Sequence, residues 1–347
     1  MQPKGNPYGT HRVIEPQGAL PQPAVRVDND FSKIFDNEVL CDVITLNIDS
    51  ASFTDIKELA ENKPENISRI VYDIVKSYGK HKNPRTGSGG VFIGEVSQIG
   101  DSLKGRINLQ EGDRIASLVS LSLTPLHIDK VLKVYMNKDQ VDIRGQAVIF
   151  ESGVWTKLPD DMPEPLALAV LDVAGAPAQV ERLVKRGDTV AVIGARGKSG
   201  LLCCYQAKKN VGREGKVIGV VHRQDGRQDV DNADFVDEVV VANADNSLDL
   251  LANIKNATDG KLCDIVINCV SRENCEMGSI LITKDRGKIY FFSMATDFTK
   301  AALGAEGVGK DVDMIIGNGF CLGHAELALN ILRENRYLRD LYTIRYC

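Results

Sequence analysis

The sequence predicts an α/β chain whose second half is a doubly wound parallel sheet, and two observations carry that expectation. The apolar run at 190–193 meets Gly194, Gly197 and Gly200 before Leu201, Leu202 and Tyr205 recur at roughly helical spacing. Five further short apolar runs follow, at 216–221, 237–243, 263–270, 287–294 and 313–319, with room for a helix between neighbours. Strands alternating with helices imply right-handed crossovers and a parallel sheet covered on both faces. In such a sheet the ligand lies at the carboxyl ends of the strands.

The glycines sit at the joint of the first strand and helix. Without a Cβ they permit a tight turn, close approach of backbone N–H groups to a pyrophosphate, and close contact of helix with strand. The helix N-terminus adds positive potential. The spacing is GxxGxxG rather than GxGxxG, and an ordinary glycine-rich βα turn shares it. With the strands that follow, the segment 161–324 is expected to be a Rossmann dinucleotide-binding domain. Gly194, Arg196, Gly197, Lys198, Ser199 and Gly200 are its cofactor-binding loop; one of Arg196 and Lys198 contacts phosphate, or both are solvated. At the end of the second strand His222 and Arg223 stand where an NAD-specific fold places an acid on the adenosine ribose. NADP is therefore favoured over NAD, with Arg223 pairing the 2′-phosphate. Asp225 would be the ribose ligand if the strand ended a few residues later.

The first part of the chain has a different texture. Pro- and Gly-rich segments at 3–23 and 83–90 flank the strand-like runs EVLCDVITLNI, GGVFIGEVSQIG, GDRIASLVSL and DIRGQAVIF, which predict a small antiparallel β domain over 1–160. Prolines in WTKLPDDMPEPLALAV mark the junction. The stretch GHAELALNILRENRYLRDLY predicts one long amphipathic helix with a return segment, and 325–347 is expected to complete the first domain.

Composition bounds the function. The chain has 347 residues, 43% of them hydrophobic, and a net charge of −5, so neither nucleic acid nor an anionic membrane is expected as partner. No apolar run is long enough for a bilayer span, and MQPKGNPYGTHRVIEP lacks the apolar core of a signal peptide, which predicts a cytoplasmic protein. The eight cysteines form no CxxC pair and no metal-ligand spacing. They are expected to be small core residues of a reducing compartment.

The order of EVLCDVITLNID, GGVFIGEVSQIG, EGDRIASLVS, VWTKLPDDMP, KRGDTVAVIGARGKSG and DIVINCV resembles the medium-chain dehydrogenase/reductase superfamily, and GARGKSG resembles the glycine loop of its quinone-reductase branch. The resemblance implies a GroES-like β domain plus a Rossmann domain. NPYGTHRVIEPQGALPQPA, NPRTGSGG and GNGFCLGHAELA resemble, more narrowly, a zinc-free group within it that oxidatively deaminates a small diamino acid in lysine fermentation. This implies NAD(P) as cofactor. A zinc-free alcohol, quinone or enone reductase and a non-catalytic nucleotide-binding protein are the alternatives. Pairing across a Rossmann-domain edge would make a homodimer.

Zinc-dependent members of the superfamily carry a Cys, a GHE motif and a third ligand at places that here hold Asp49, the triplet Gly89-Gly90-Val91, and Asp172. Two carboxylates and a glycine suit tetrahedral zinc poorly, so no catalytic metal is expected. Asp49 and Asp172 are the catalytic candidates, as acid/base or as partners of a substrate ammonium; the alternative is that Asp49 caps a turn and Asp172 hydrogen-bonds within its helix. Arg12, with His11, either binds the substrate carboxylate or serves an interface. Glu95 either faces solvent from mid-strand or looks into the cleft. His127 and His324 are expected to be structural.

Overall fold

The computed structural model describes residues 2–293, 295–317 and 319–347. Met1, Met294 at the end of the predicted run 287–294, and Asn318 within 313–319 lie outside the described residues. The chain divides into two compact units, Met1–Glu164 and Pro165–Cys347.

The first unit opens with a 3₁₀ turn at Thr10–Arg12 and a two-stranded antiparallel ribbon, β1 (Val13–Glu15) and β2 (Arg26–Val27). Its body is β3 (Glu38–Asn47), helices α1 (Ser50–Leu59) and α2 (Pro64–Tyr78), then β4 (Val91–Ile99), β5 (Arg114–Ser117), β6 (Leu126–Tyr135), β7 (Gln140–Phe150) and β8 (Trp155–Lys157). The strands form one antiparallel sheet in the order β6-β7-β3-β4-β5-β8. Cys41, Leu46, Phe53, Ile56, Ile67, Val71, Phe92, Ile115 and Val141 share a single core with no solvent exposure. Strands β6 and β8 and helices α1 and α2 add to the elements read from the sequence. Helix α2 starts with Pro64 at its first position, buries Ile67, Val71, Ile74 and Val75, and ends at Gly79 in the left-handed region (φ 71°), as helix stop signals require. The same glycine lies so close to the ribbon that a Cβ would meet the Val27 carbonyl at 2.0 Å.

In the second unit the parallel strands are β9 (Thr189–Ile193), β10 (Lys216–Val221), β11 (Glu238–Val241), β12 (Cys263–Asn268), β13 (Thr283–Phe291) and β14 (Asp313–Ile316). Their order is β11-β10-β9-β12-β13-β14. The direction of winding reverses between β9 and β12, the switch point where this class of sheet opens a crevice. The helices are α3 (Glu164–Leu171), α4 (Gly175–Leu183), α5 (Lys198–Val211), α6 (Gln228–Asp231), α7 (Ser247–Ala257), α8 (Glu276–Ile282), α9 (Phe298–Gly307), α10 (His324–Glu334) and α11 (Arg336–Tyr346). Each apolar run of the second half is a strand, in the predicted order.

The expected long helix after 324 is two helices. Asn335 leaves the helical region (φ −117°, ψ 106°) and its side chain accepts from Leu338 N at 2.9 Å, capping a new start. Residues 325–347 do not complete the first domain; they pack on the second unit. Glu334 receives Tyr205 Oη (3.0 Å) and Lys209 Nζ (2.7 Å) from α5, and Leu338 and Tyr342 are fully buried. Burying that apolar face is what fixes the two helices here.

Candidate active site and nucleotide loop

Asp49 stands at the N-cap position of α1, yet its carboxylate does not cap the helix. Oδ2 accepts instead from Gly89 N at 3.1 Å. The NPRTGSGG segment is folded against α1 to make this possible: buried Asn83 donates to Asp55 (2.9 Å) and accepts from Arg85 N (2.8 Å), and Ser88 Oγ meets Ser52 Oγ at 2.6 Å. At Gly89 a Cβ would lie 2.5 Å from the His81 carbonyl and from Ser122 N; at Gly90 (φ 104°) it would lie 2.0 Å from the Asn47 carbonyl. Backbone on every side leaves no space for a ligating side chain there. Among the described residues no group of three or more His, Cys, Asp or Glu is placed to hold a metal ion.

Arg12 requires a correction. It is 1% exposed, and all its nitrogens are engaged within the unit. Nε and Nη2 hold Glu38 in a fork (2.8 and 2.7 Å), Nη1 reaches Asp30 O (2.8 Å) and Asp28 (3.3 Å), and Nη2 also reaches Lys33 O (3.1 Å). A guanidinium has five donors, so none remains for a substrate carboxylate. His11 serves the same knot, with Nε2 2.8 Å from Glu38 and Nδ1 accepting from Asn6 N at 2.9 Å. Burial would raise the Glu38 carboxyl, but the Arg12 and His11 hydrogen bonds bring it down to about 2. Buried Lys80, unmarked in the sequence, donates to the carbonyls of Pro21 (2.5 Å) and Ala24 (2.6 Å), and burial lowers its pKa to about 8. The amino-terminal segment is thus held by two buried cations.

Glu95 is exposed in mid β4, paired in register with Asp42 and Arg114. It lies roughly 20 Å along the chain from Gly89 at about 3.3 Å per residue, so it does not join Asp49. His127 is half exposed beside Asp129 (3.3 Å). His324 is buried at the start of α10, where burial lowers its pKa.

In the second unit the three glycines divide the work of the turn. Gly194 has φ 83°. A Cβ on Gly200 would meet the Gly194 carbonyl at 2.1 Å, so only glycine lets α5 approach β9 this closely. Gly197, between them, is the N-cap of α5 and the least crowded of the three, its nearest neighbour being the Gly194 carbonyl at 3.2 Å. The first turn of α5, Lys198–Ser199–Gly200, directs its N–H groups out of the helix end, the geometry that receives a phosphate. These residues fit a dinucleotide.

Two predicted residues meet here. Lys198 Nζ lies 2.8 Å from Asp172 Oδ2, and both side chains are largely buried. Arg196 Nε donates to Asp229 Oδ2 at 2.8 Å. His222 and Arg223 are exposed at the end of β10, and Asp225 follows them in a 3₁₀ turn, also exposed. Asp229, Tyr342 and Arg345 were not singled out in the sequence. Arg345 donates to Asp229 Oδ2 (2.7 Å) and to Arg196 O (3.0 Å), and buried Tyr342 Oη donates to Lys198 O. Apolar and polar positions mix in α11, and only its docking marks them.

A GroES-like antiparallel unit followed by a Rossmann unit with this loop defines the class: the medium-chain dehydrogenase/reductase architecture. CurK enoyl reductase shares it at TM-score 0.54 and 13% identity, over 86% of this chain and 79% of that one. Mycobacterial Rv1454c complexed with NADPH shares it at 0.51 and 17%, over 90% and 81%. The model of the L-erythro-3,5-diaminohexanoate dehydrogenase N-terminal domain matches residues 11–159. The L-erythro-3,5-diaminohexanoate dehydrogenase of Acetoanaerobium sticklandii is 54% identical over 99% of both chains, and that of Fusobacterium nucleatum subsp. nucleatum 53% over 99% of both. The chain belongs to the L-erythro-3,5-diaminohexanoate dehydrogenase family.

Proposed function

We propose that the protein catalyses the NAD(P)-dependent oxidative deamination of L-erythro-3,5-diaminohexanoate to 5-amino-3-oxohexanoate, a step of lysine fermentation in the cytoplasm. The observation that carries this is identity of 54% running end to end with a dehydrogenase of that name. Gly194, Gly197, Lys198, Ser199 and Gly200 would hold the pyrophosphate, and a bound nicotinamide supplies the acceptor for a hydride. NADP is the favoured form, because His222 and Arg223 rather than an acid stand exposed at the end of β10.

The chain's own part is to hold the substrate and move protons. The ammonium at C3 must lose a proton before its carbon can give up hydride. Water then adds to the resulting iminium, and ammonia leaves a ketone. Overall, diamino acid, oxidised cofactor and water become oxo acid, ammonium, reduced cofactor and one proton. Asp49 and Asp172 are the proposed groups for binding the ammonium and for proton transfer; Asp172 would share its carboxylate with Lys198. No metal enters this scheme, and Gly89 and Gly90 support that, since no ligand side chain fits beside Asp49. A homodimer paired through the exposed edge strand β14 is the proposed assembly.

Steady-state formation of NAD(P)H with the diamino acid, with ammonia measured alongside, tests the function. Equal or better turnover of plain alcohols or enones, without ammonia, would replace it with a reductase of the same architecture.

A further inference from the structure

Helix α11 meets the nucleotide loop at three points and the loop's partner Asp229 at a fourth. Tyr342 Oη donates to Lys198 O, and Tyr342 is fully buried, so this hydroxyl has a fixed address. Arg345 Nη1 donates to Arg196 O at 3.0 Å. Arg345 Nη2 shares Asp229 Oδ2 with Arg196 Nε, at 2.7 and 2.8 Å. The Lys198 ammonium lies 5.3 Å from the centre of the Tyr346 ring, within cation–π range. A fifth bond from the same helix, Tyr337 Oη to Asp229 O at 2.6 Å, fixes the backbone that carries the shared carboxylate.

The direction of these bonds is informative. The bonds from Tyr342 and Arg345 to Lys198 O and Arg196 O are made to the carbonyl side of the loop peptides, and a peptide's N–H points opposite to its C=O. Holding Lys198 O from behind therefore fixes the Ser199 N–H at the open end of α5. Arg196 is held in the same way. Its stem crosses Gly226, where a Cβ would meet Arg196 Cδ at 2.8 Å, so the guanidinium lies against the 3₁₀ turn Gln224–Gly226 that follows β10. In this fold the adenosine ribose lies between the glycine loop and the end of the second strand. Asp229 takes only Nε of this side chain, which is 55% exposed, so the guanidinium keeps Nη donors for a ligand.

We propose that α11 is a positioning element for the nucleotide loop: Tyr342 and Arg345 fix the loop backbone, and Arg345 with Asp229 aims Arg196 at the ribose 2′ position of the bound dinucleotide. This rests on the loop holding a nicotinamide dinucleotide, as proposed above. Neither Tyr342 nor Arg345 touches the cofactor in this arrangement; both act through Arg196 and Lys198.

The test is direct binding of NADP⁺ and NAD⁺ by titration calorimetry to the wild-type chain, Tyr342→Phe and Arg345→Met, with cofactor kinetics measured beside it. Tyr342→Phe removes one hydroxyl and is expected to weaken NADP⁺ roughly three- to tenfold; Arg345→Met, which loses a charged pair and a carbonyl bond, roughly tenfold or more. NADP⁺ should suffer more than NAD⁺ in Arg345→Met, because Arg196 is freed from its aim. The KM for the cofactor should rise in step while kcat stays within about twofold of wild type, a split that a general loss of structure does not give. Arg345→Lys, which keeps the charge beside Asp229, should fall between wild type and Arg345→Met; it also serves if the methionine variant does not fold. Unchanged affinities in Tyr342→Phe and in the Arg345 variants overturn the proposal. A wild-type chain that binds neither nucleotide overturns the loop's assignment instead.

Discussion

Lys198 at the first turn of α5 and Asp172 just beyond α3 form an ion pair at 2.8 Å. It joins a residue read from the sequence as phosphate-binding to one read as catalytic. A charge on the nucleotide helix is thereby tied to the carboxylate proposed to receive the substrate ammonium.

Asp172→Asn and Asp49→Asn should each leave folding and nucleotide binding in place while lowering turnover of the diamino acid by roughly two to four orders of magnitude, the range for a positioned acid or base. Steady-state kinetics with a nucleotide titration on each variant check this. Wild-type turnover in either returns that carboxylate to a structural role, for Asp49 the Gly89 contact and for Asp172 the Lys198 pair.

Activity should survive exhaustive chelation, and metal analysis should find no stoichiometric zinc. Activity lost on chelation and restored by zinc alone would refute the expectation drawn from Asp49, Gly90 and Asp172.

For cofactor choice, Arg223→Ala should weaken NADP much more than NAD, because a guanidinium opposite the 2′-phosphate is lost. Kinetic constants for both cofactors decide it. A strong NAD preference untouched by the substitution assigns Arg223 to solvent and makes Asp225 the ribose ligand.

The Arg12–Glu38 knot predicts how the fold meets acid. Glu38 has a folded pKa of about 2 against an ordinary 4.5. Its contribution is therefore complete above pH 4.5 and is lost as pH falls from there toward 2. At 1.36 kcal/mol per pKa unit it amounts to about 3 kcal/mol. Arg12→Met should destabilise the protein by about 3–5 kcal/mol, since it strands a buried carboxylate, and should flatten the acid limb of the stability profile. In the protein that still folds, the KM for the diamino acid should not move; a large rise would restore Arg12 to the substrate site.

The β-strands of the second unit were legible because buried parallel strands are short apolar runs with nothing else between the helices, and KVIGVV or CDIVINCV has no competing interpretation. Gly194 and Gly200 were legible for a similar reason: the turn and the close packing each forbid a Cβ. Helix α2 was within reach, with Pro64, Gly79 and apolar residues at 67, 71, 74 and 75, but it lies in a part of the chain whose strands dominate the pattern. The role of Arg12 was out of reach. Its partners Asp28, Asp30, Lys33 and Glu38 are brought to it by the turn of the chain, and an arginine beside a histidine looks the same in sequence whether it faces a ligand or a buried glutamate. Arg345 and Asp229 are more than a hundred residues apart, and nothing local in either marks their meeting at Arg196.

The crowding at Gly89 and Gly90 also limits how this lineage can change. Replacing either glycine by histidine or cysteine would drive the new Cβ into backbone at 2.0–2.5 Å, so a metal ligand cannot be introduced there by point mutation alone. The loop from Asn83 to Gly90 would have to be rebuilt together with its seat on α1, and every intermediate would loosen the contact that seats Asp49.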